Sequence, residues 1–248
     1  MNGSFETAVD AVRAAHDRGV PLRLIGGQAV RFLTPDYPPR VRGDQDMDFA
    51  SVSTAKGPVM DFLGELGFLG DRKFNLLHGD RQMYFTTPDG NTSVDVIMDK
   101  LNMCHVLEFK ERIDRMPYTL DVTDLLLTKL QVVQQNEKDV HDIAYLLSAF
   151  EVRPGDEAGT IGLDRIREVV SGDWGWWRTV TGNLDRVAEL VGGDLKRIVP
   201  PDAALDPVAQ ARALRAHADA VPKSLRWKVR SRVGERVQWY ELPEEVGH

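Results

Sequence analysis

The sequence predicts an α+β fold in which a mixed sheet flanked by helices is followed by a mainly helical C-terminal region. Three observations indicate it: short β-rich runs within residues 1–100, a strand that runs directly into a glycine pair before a helix, and helical periodicity from about residue 123 onward. With 248 residues, 42% hydrophobic and 28% charged, the chain has an ordinary globular composition. It is long enough for one large domain or a domain with a smaller companion.

The first part of the chain is predicted to alternate helices with short strands. The patterns assign a helix at 5–18 with Ser4 as its N-cap, a strand at 22–25, a helix at 28–33, a proline-rich loop at 35–39, a strand at 41–50, a helix at 58–66, and strands at 82–86 and 92–98. The last two strands flank Pro88-Asp89-Gly90-Asn91, a turn sequence, so we expect them to form a hairpin.

The second part is predicted to be helical. Apolar residues at helical spacing indicate one helix from Thr123, another from about Asp139, and about three more within 163–220. We therefore expect a domain at 1–120 and a helical C-terminal region with a basic tail at 121–248.

The tail is ambiguous in its secondary structure. Basic and apolar residues alternate at 226–233, which suits a strand, whereas Leu225, Val229 and Val233 also fit a helical stripe. The net charge of the chain is −7, but the segment 223–236 contains one acid and a run of basic residues: Lys223, Arg226, Lys228, Arg230, Arg232 and Arg236. Such a strip could contact a phosphate backbone, or simply form a solvated face.

Several classes of protein are excluded by composition. The single cysteine, Cys104, cannot form an intrachain disulfide or a cysteine-based zinc site. Charged residues interrupt the apolar positions of residues 1–20, and no later stretch is apolar for long enough to cross a bilayer. We expect a cytoplasmic protein with no membrane partner.

Three aspartates at alternate positions, Asp44, Asp46 and Asp48, suggest a metal site. On a strand, alternate residues point to the same side, so three carboxylates would lie on one face and repel one another. A hard divalent cation such as Mg²⁺ would remove that cost, because it prefers carboxylate oxygens. The alternative is a solvated acidic turn, which Gly43 makes plausible.

Asp95 and the glycine pair add to this pattern. Asp95 lies within an apolar β-rich run, where its charge would need a partner if it were buried; alternatively, it faces solvent on an edge strand. Gly26 and Gly27 stand between a strand and a helix, where backbone amides can approach a phosphate and the helix N-terminus favours its charge. Turns and tight packing explain most such glycine pairs.

Taken in order, these residues resemble the nucleotidyltransferase superfamily with its polymerase-β-like fold. The matching residues are Gly26-Gly27, then Asp46-Met47-Asp48, then Asp95. The segments 24–30 and 42–49 look most like the branch that contains AbiEii-type toxins and aminoglycoside nucleotidyltransferases. The sequence departs from that branch at Asp44, where a threonine is usual. The resemblance extends through residues 123–130 and 137–143.

This resemblance implies a Mg²⁺-dependent enzyme that transfers a nucleoside monophosphate from a nucleoside triphosphate to an acceptor hydroxyl. Asp46 and Asp48 would hold two Mg²⁺ ions, and Asp95 would complete one of them and act as the base. The nucleotide would be bound by Gly26, Gly27, Arg42, Lys129 and Asp139. From the pattern alone, Lys129 could also be a snorkelling surface lysine, and Asp139 could be an acid at a helix N-terminus.

The sequence leaves three classes of acceptor possible. RNA, such as a tRNA 3′ end, is one candidate, with Trp227, Trp239 and Tyr240 as stacking surfaces beside the basic strip. A small hydroxylated molecule such as an aminoglycoside is the second candidate, and a protein is the third. A toxin of this branch would have a cognate antitoxin as partner. A non-catalytic nucleotide-binding module is the alternative class, whereas an HD-type phosphohydrolase is excluded because the histidines lack the required spacing.

Overall fold

The computed structural model of the chain describes residues 4–38 and 46–242. It confirms the predicted fold class: a mixed five-stranded sheet is flanked by helices, and a helical C-terminal region follows. The α-helices are α1 Ser4–Asp17, α2 Gly26–Leu33, α3 Lys56–Glu65, α4 Arg72–His78, α5 Val122–Leu130, α6 Glu137–Ala149, α7 Leu163–Gly172, α8 Trp174–Gly192, α9 Pro207–Ala220 and α10 Leu225–Ser231. The strands are β1 Arg23–Leu24, β2 Met47–Ser51, β3 Leu69–Gly70, β4 Gln82–Thr86, β5 Ser93–Met98, β6 Lys100–Asn102, β7 Val106–Glu108, β8 Val152–Arg153 and β9 Ile161–Gly162.

The chain divides into two compact units. The first unit contains Met1–Leu101 and Glu108–Asp121, and the second contains Asn102–Leu107 and Val122–His248. Each unit has a core of buried apolar side chains of its own. Within the described ranges, no helix is long and apolar enough to cross a membrane.

The sheet of the first unit has the strand order β1-β2-β5-β4-β3. β2 and β5 are parallel, whereas the other neighbouring pairs are antiparallel. Burial alternates along β4 and β5, because successive side chains of a strand point to opposite faces. One face carries fully buried residues such as Phe49, Val96 and Phe85, and the opposite face carries partly buried polar ones.

The predicted hairpin of β4 and β5 is confirmed, with Tyr84 opposite Asp95. Several short elements were not predicted. They include the strand β3 and the helix α4, whose 72–78 segment is too short to show a clear period, and the strands β6, β7, β8 and β9. The strand predicted at 41–50 begins at Met47 among the described residues, and 41–45 lies outside them. The helix predicted at 28–33 begins two residues earlier, at Gly26.

The second unit confirms the predicted helices. α5 and α6 begin at Val122 and Glu137, and α7, α8 and α9 account for the three further helices. Asn136 and Asp139 form a capping box at the start of α6, so the interpretation of Asp139 as an N-terminal acid is confirmed.

The ambiguity of the tail is resolved in favour of a helix, α10. Leu225 and Val229 of this helix are exposed by 79% and 56%, and Val233, two residues after its end, by 41%. The helical period was therefore the right interpretation of the pattern, although the stripe does not face the core.

Candidate active site

The centre of the candidate site is a pair of carboxylates on neighbouring strands. Asp48 on β2 and Asp95 on β5 are direct partners in the parallel register. Adjacent strands lie about 4.8 Å apart, and side chains at matching positions share a face, so the two side chains stand side by side. Both residues are partly buried. Because β5 is paired on both sides, by β2 and β4, the alternative that places Asp95 on an edge strand is wrong.

The glycine pair approaches one of these carboxylates closely. Gly26 has φ +67°, a left-handed conformation that favours glycine, and a Cβ at this position would lie 2.8 Å from Oδ2 of Asp48. The amide of Ile25 also donates to the main-chain oxygen of Asp48, at 3.0 Å. The sequence needs glycine here because any side chain would occupy the space beside the carboxylate.

Helix α2 begins at this same point. Ile25 is its N-cap and provides no side-chain hydrogen bond, and the first turn contains no acidic residue. The first amide groups of a helix have no partners within the helix, and they carry a partial positive charge. The start of α2, at Gly26 and Gly27, is therefore an electropositive end next to Asp48, and it has the chemistry to accept a phosphate.

Asp46 is placed differently from the prediction. It lies in a bend just before β2, and its side chain is exposed, so the prediction of a continuous strand face through Asp46 is wrong. The solvated-turn interpretation describes its backbone better. Its Oδ1 nevertheless accepts a hydrogen bond of 2.5 Å from the hydroxyl of Ser93, which lies two residues before Asp95. Asp46 is thus held next to the end of β5.

Two further side chains organise the acids, and neither was predicted. Gln82 on β4 donates from Nε2 to Oδ1 of Asp95, at 2.6 Å. Gln28 on α2 donates from Nε2 to the main-chain oxygen of Asp46, at 3.0 Å, and it is almost fully buried. Side chains alternate between the two faces of a hairpin, so Gln82 could have been assigned to the face that carries Asp95. That assignment needs the register of the two strands, which the turn sequence alone does not fix.

The donor set fits a hard divalent cation, although it does not form a complete cage. Among the described residues, no three side chains of His, Cys, Asp or Glu converge closely enough to hold a metal ion. Mg²⁺ commonly takes only one or two protein carboxylates and completes its shell with water and substrate phosphates. The pair Asp48 and Asp95, with Asp46 nearby, matches that requirement.

The remaining predicted residues belong to the second unit or fall outside the described residues. In the second unit, Nζ of Lys129 is 2.9 Å from Oδ2 of Asp142 and 3.4 Å from Oδ1 of Asp139. Lys129 is thus neither a snorkelling lysine nor a solvated one, because it bridges two buried carboxylates. Its predicted contact with a phosphate stays a prediction. Arg42 and Asp44 lie outside the described residues.

Comparisons with known proteins give little further information. No family model matches the chain, and no curated protein matches it. A structure of JHP933 from Helicobacter pylori aligns with 94% of this chain and 96% of its own, at 14% identity and a TM-score of 0.37. A protein from H. pylori described as a candidate nucleotidyltransferase aligns with 93% and 96%, at 13% identity and the same TM-score. Because these scores do not establish a shared architecture, the function has to be inferred from the site.

Proposed function

We propose that the first unit is a Mg²⁺-dependent nucleotidyltransferase, which transfers a nucleoside monophosphate from a nucleoside triphosphate to an acceptor hydroxyl. The observation that carries the proposal is the side-by-side placement of Asp48 and Asp95, with the backbone of Gly26 against Asp48. Phosphate-binding backbone and metal-binding carboxylates are the two components that phosphoryl-group chemistry requires.

In this proposal, the side chains of Asp48 and Asp95 hold the divalent cation, and Asp46 contributes from the adjoining bend. When bound, the cation neutralises charge on the triphosphate and on the attacking and leaving oxygens. Ser93 and Gln82 keep Asp46 and Asp95 in place through their hydrogen bonds of 2.5 and 2.6 Å. Such positioning is the main contribution that a protein makes to this class of reaction.

The protein's own groups account for the remaining steps. The amides at the start of α2, at Gly26 and Gly27, bind the triphosphate. The acceptor oxygen forms a bond to the α-phosphorus, the bond from that phosphorus to the leaving oxygen breaks, and pyrophosphate departs. Asp95 takes the proton of the acceptor hydroxyl, so that the oxygen attacks as an anion.

RNA is the acceptor that we favour, and a small hydroxylated molecule is the second candidate. The exposed basic residues of the tail, Arg226, Lys228 and Arg232, suit a phosphate backbone. A role as an AbiEii-type toxin with a cognate antitoxin rests on the sequence resemblance alone. A non-catalytic nucleotide-binding module would share the binding groups but would release no pyrophosphate.

The test is transfer of label from each α-labelled nucleoside triphosphate, with Mg²⁺, into total cellular RNA, with pyrophosphate measured in parallel. We expect label in RNA and a matching amount of pyrophosphate from the wild-type protein. Asp48→Asn should lower the rate at least a thousandfold, because it removes a charge that binds the cation. Asp61→Asn makes the same chemical change at an exposed position of α3 and should leave the rate unchanged.

The possible outcomes separate the candidates. Full activity of Asp48→Asn would contradict the proposed site. Pyrophosphate release with an aminoglycoside panel, but no label in RNA, would favour the small-molecule acceptor. Nucleotide binding without any pyrophosphate release would favour the non-catalytic module.

A further inference from the structure

The second unit contains a pocket of about 600 Å³ whose lining is rich in aromatic residues and includes two arginines and two acids. Its volume falls within the range of roughly 300–1,000 Å³ that is typical of small-molecule sites. All the lining residues belong to the second unit. The ring-bearing residues are His105, Trp174, Trp176, Trp227, Trp239 and Tyr240.

Hydrogen bonds fix several of these rings in place. The indole of Trp239 donates to the hydroxyl of Thr179 at 3.1 Å, and that hydroxyl lies 2.9 Å from Nε2 of His105. The indole of Trp176 donates to the main-chain oxygen of Val106 at 3.3 Å, and its ring stacks on His105 with 4.9 Å between centroids. The rings are therefore ordered before any ligand binds, which lowers the entropic cost of binding.

The ring of His105 is neutral near pH 7. Burial lowers its pKa to about 4, although the nearby carboxylate of Asp173 acts in the opposite direction. The carboxylate of Asp173 itself accepts hydrogen bonds from the amides of Gly175 and Trp176 at the start of α8. This part of the lining thus presents neutral aromatic surface, which suits the stacking of a planar ring.

Two donors of the lining have no partner within the described part of the chain. Arg226 is exposed, and its guanidinium makes no hydrogen bond or ion pair with residues 4–38 and 46–242. The indole N–H of Trp227 is buried and also lacks an acceptor among those residues. A buried donor without an acceptor is unfavourable, so of the two donors the exposed guanidinium of Arg226 is the one that a ligand can reach.

The same lining disfavours a cationic ligand. Arg230 lies over the ring of Trp174, 4.7 Å from its centroid, and donates to the main-chain oxygens of Gly234 and Val237. It therefore already occupies an aromatic face that a cation would use. The carboxylates of Asp173 and Glu241 also line the pocket, and that of Asp173 is already engaged by the amides of Gly175 and Trp176.

We propose that this pocket binds an unstacked nucleotide of single-stranded RNA, with its base against the aromatic rings and its phosphate at Arg226. The idea that this nucleotide belongs to the acceptor of the transfer reaction rests on the proposed function. The idea that the pocket binds RNA does not. RNA is favoured over a mononucleotide because the tail that contains Arg226 carries further exposed basic residues, Lys228, Arg232 and Arg236, and such residues suit the phosphates of a longer chain.

The experiment measures binding of a fluorescein-labelled single-stranded hexaribonucleotide to the full chain by anisotropy, with no nucleoside triphosphate present. Arg226→Ala should raise Kd about tenfold, because it removes a phosphate contact, and Tyr240→Ala should raise it by a similar factor through lost stacking. Arg212→Ala removes the same charge from an exposed position of α9 and should change Kd less than twofold. Adenosine 5′-monophosphate should compete only at much higher concentration than unlabelled hexamer.

Four results would overturn the proposal. They are no saturable binding of the hexamer, equal effects of Arg226→Ala and Arg212→Ala, competition by the mononucleotide at the same concentration as the hexamer, and tighter binding of an aminoglycoside than of the hexamer. Because no triphosphate is present, each result is independent of transfer. Failure of the hexamer to bind would not change the result of the pyrophosphate assay. An inactive enzyme in the pyrophosphate assay would not change the binding of the hexamer.

Discussion

The carboxylate pair of the first unit and two ion pairs of the second unit are contrasting arrangements of ionisable side chains. In the first unit, two partly buried carboxylates, Asp48 and Asp95, stand beside each other on neighbouring strands. In the second unit, buried carboxylates lie beside cations of the same chain: Asp142 is 2.9 Å from Lys129, and Asp124 is 2.9 Å from Arg165. Like charges placed together cost stability, and removing one partner of a buried ion pair costs stability because it leaves the other charge buried without compensation. We therefore expect substitutions in the first arrangement to lower activity and those in the second to lower stability.

The largest effect on stability is expected from Lys129→Ala. This change leaves Asp139 and Asp142 without the ammonium group between them, and breaking a buried ion pair costs about 3–5 kcal/mol. Urea denaturation would measure the free energy of unfolding. Lys138→Ala removes the same charge from an exposed position of α6 and should change that free energy by less than about 0.5 kcal/mol. Equal stabilities of the two variants would show that the cluster is not structural.

A pH dependence is expected from His105 in the second unit. Burial lowers its pKa to about 4 in the folded chain, whereas an unfolded histidine titrates near pH 6.5. As pH falls below about 6.5, the unfolded state binds a proton that the folded state does not, so stability falls. At 1.36 kcal/mol per pKa unit, the loss between pH 7 and pH 5 is about 2 kcal/mol.

The measurement for this prediction is the free energy of unfolding of the wild type and of His105→Phe at both pH values. The wild type should lose about 2 kcal/mol more than the variant over this interval. Parallel curves for the two proteins would mean that His105 is protonated in the folded chain.

Gly26→Ala tests the close approach to Asp48. Gly26 and Gly19 both have positive φ, at +67° and +71°, so alanine is strained at either position by about 1–2 kcal/mol. Only at Gly26 would the new Cβ meet a neighbour, at 2.8 Å from Oδ2 of Asp48; at Gly19 nothing lies within 4 Å. We expect Gly26→Ala to be about 1 kcal/mol less stable than Gly19→Ala and to lose nucleotidyl transfer.

The control in that pair is the activity of Gly19→Ala, which should match the wild type below its unfolding temperature. If both glycine variants kept full transfer activity, the backbone at Gly26 would have no part in binding the nucleotide.

The smallest effect is expected from Gln82→Met. The change removes the donor to Oδ1 of Asp95 while keeping a similar side-chain length, so Asp95 is less well held. We expect kcat to fall about fivefold, which corresponds to about 1 kcal/mol, with KM and the unfolding temperature nearly unchanged. A rise in KM at constant kcat would instead assign Gln82 to substrate binding.

Much of the fold could be predicted because the signals are local. The hairpin of β4 and β5 follows from a turn sequence between two β-rich runs, and α5 and α6 follow from apolar spacing. The pairing of β2 with β5 could not be predicted, because parallel strands distant in sequence leave no local signal of their register. The sequence could not decide between a strand and a solvated turn at Asp46, since alternate acids fit both equally well, and the structure has a bend there.

The candidate site was predicted in part for the same reasons. Asp48, Asp95 and Gly26 were named from residue type and order, and the structure brings these three together. The donors Ser93 and Gln82 were not named, since a serine or glutamine on a strand carries no pattern that distinguishes it. His105, Trp174 and Trp176 were missed because they join the pocket only through the packing of separate segments.

The most direct test of the contrast between the units is a titration of Mg²⁺ at a fixed concentration of a non-hydrolysable nucleoside triphosphate analogue, followed by the unfolding temperature. At a hundred times Kd, ligand binding stabilises a protein by about 2.7 kcal/mol, which corresponds to a rise of about 5–10 °C for a chain of this size. We predict such a rise for the wild type and for Asp61→Asn, and none for Asp48→Asn or Asp95→Asn. An equal rise in all four proteins, or no Mg²⁺-dependent rise in the wild type, would contradict the assignment of the paired carboxylates to a metal–nucleotide site.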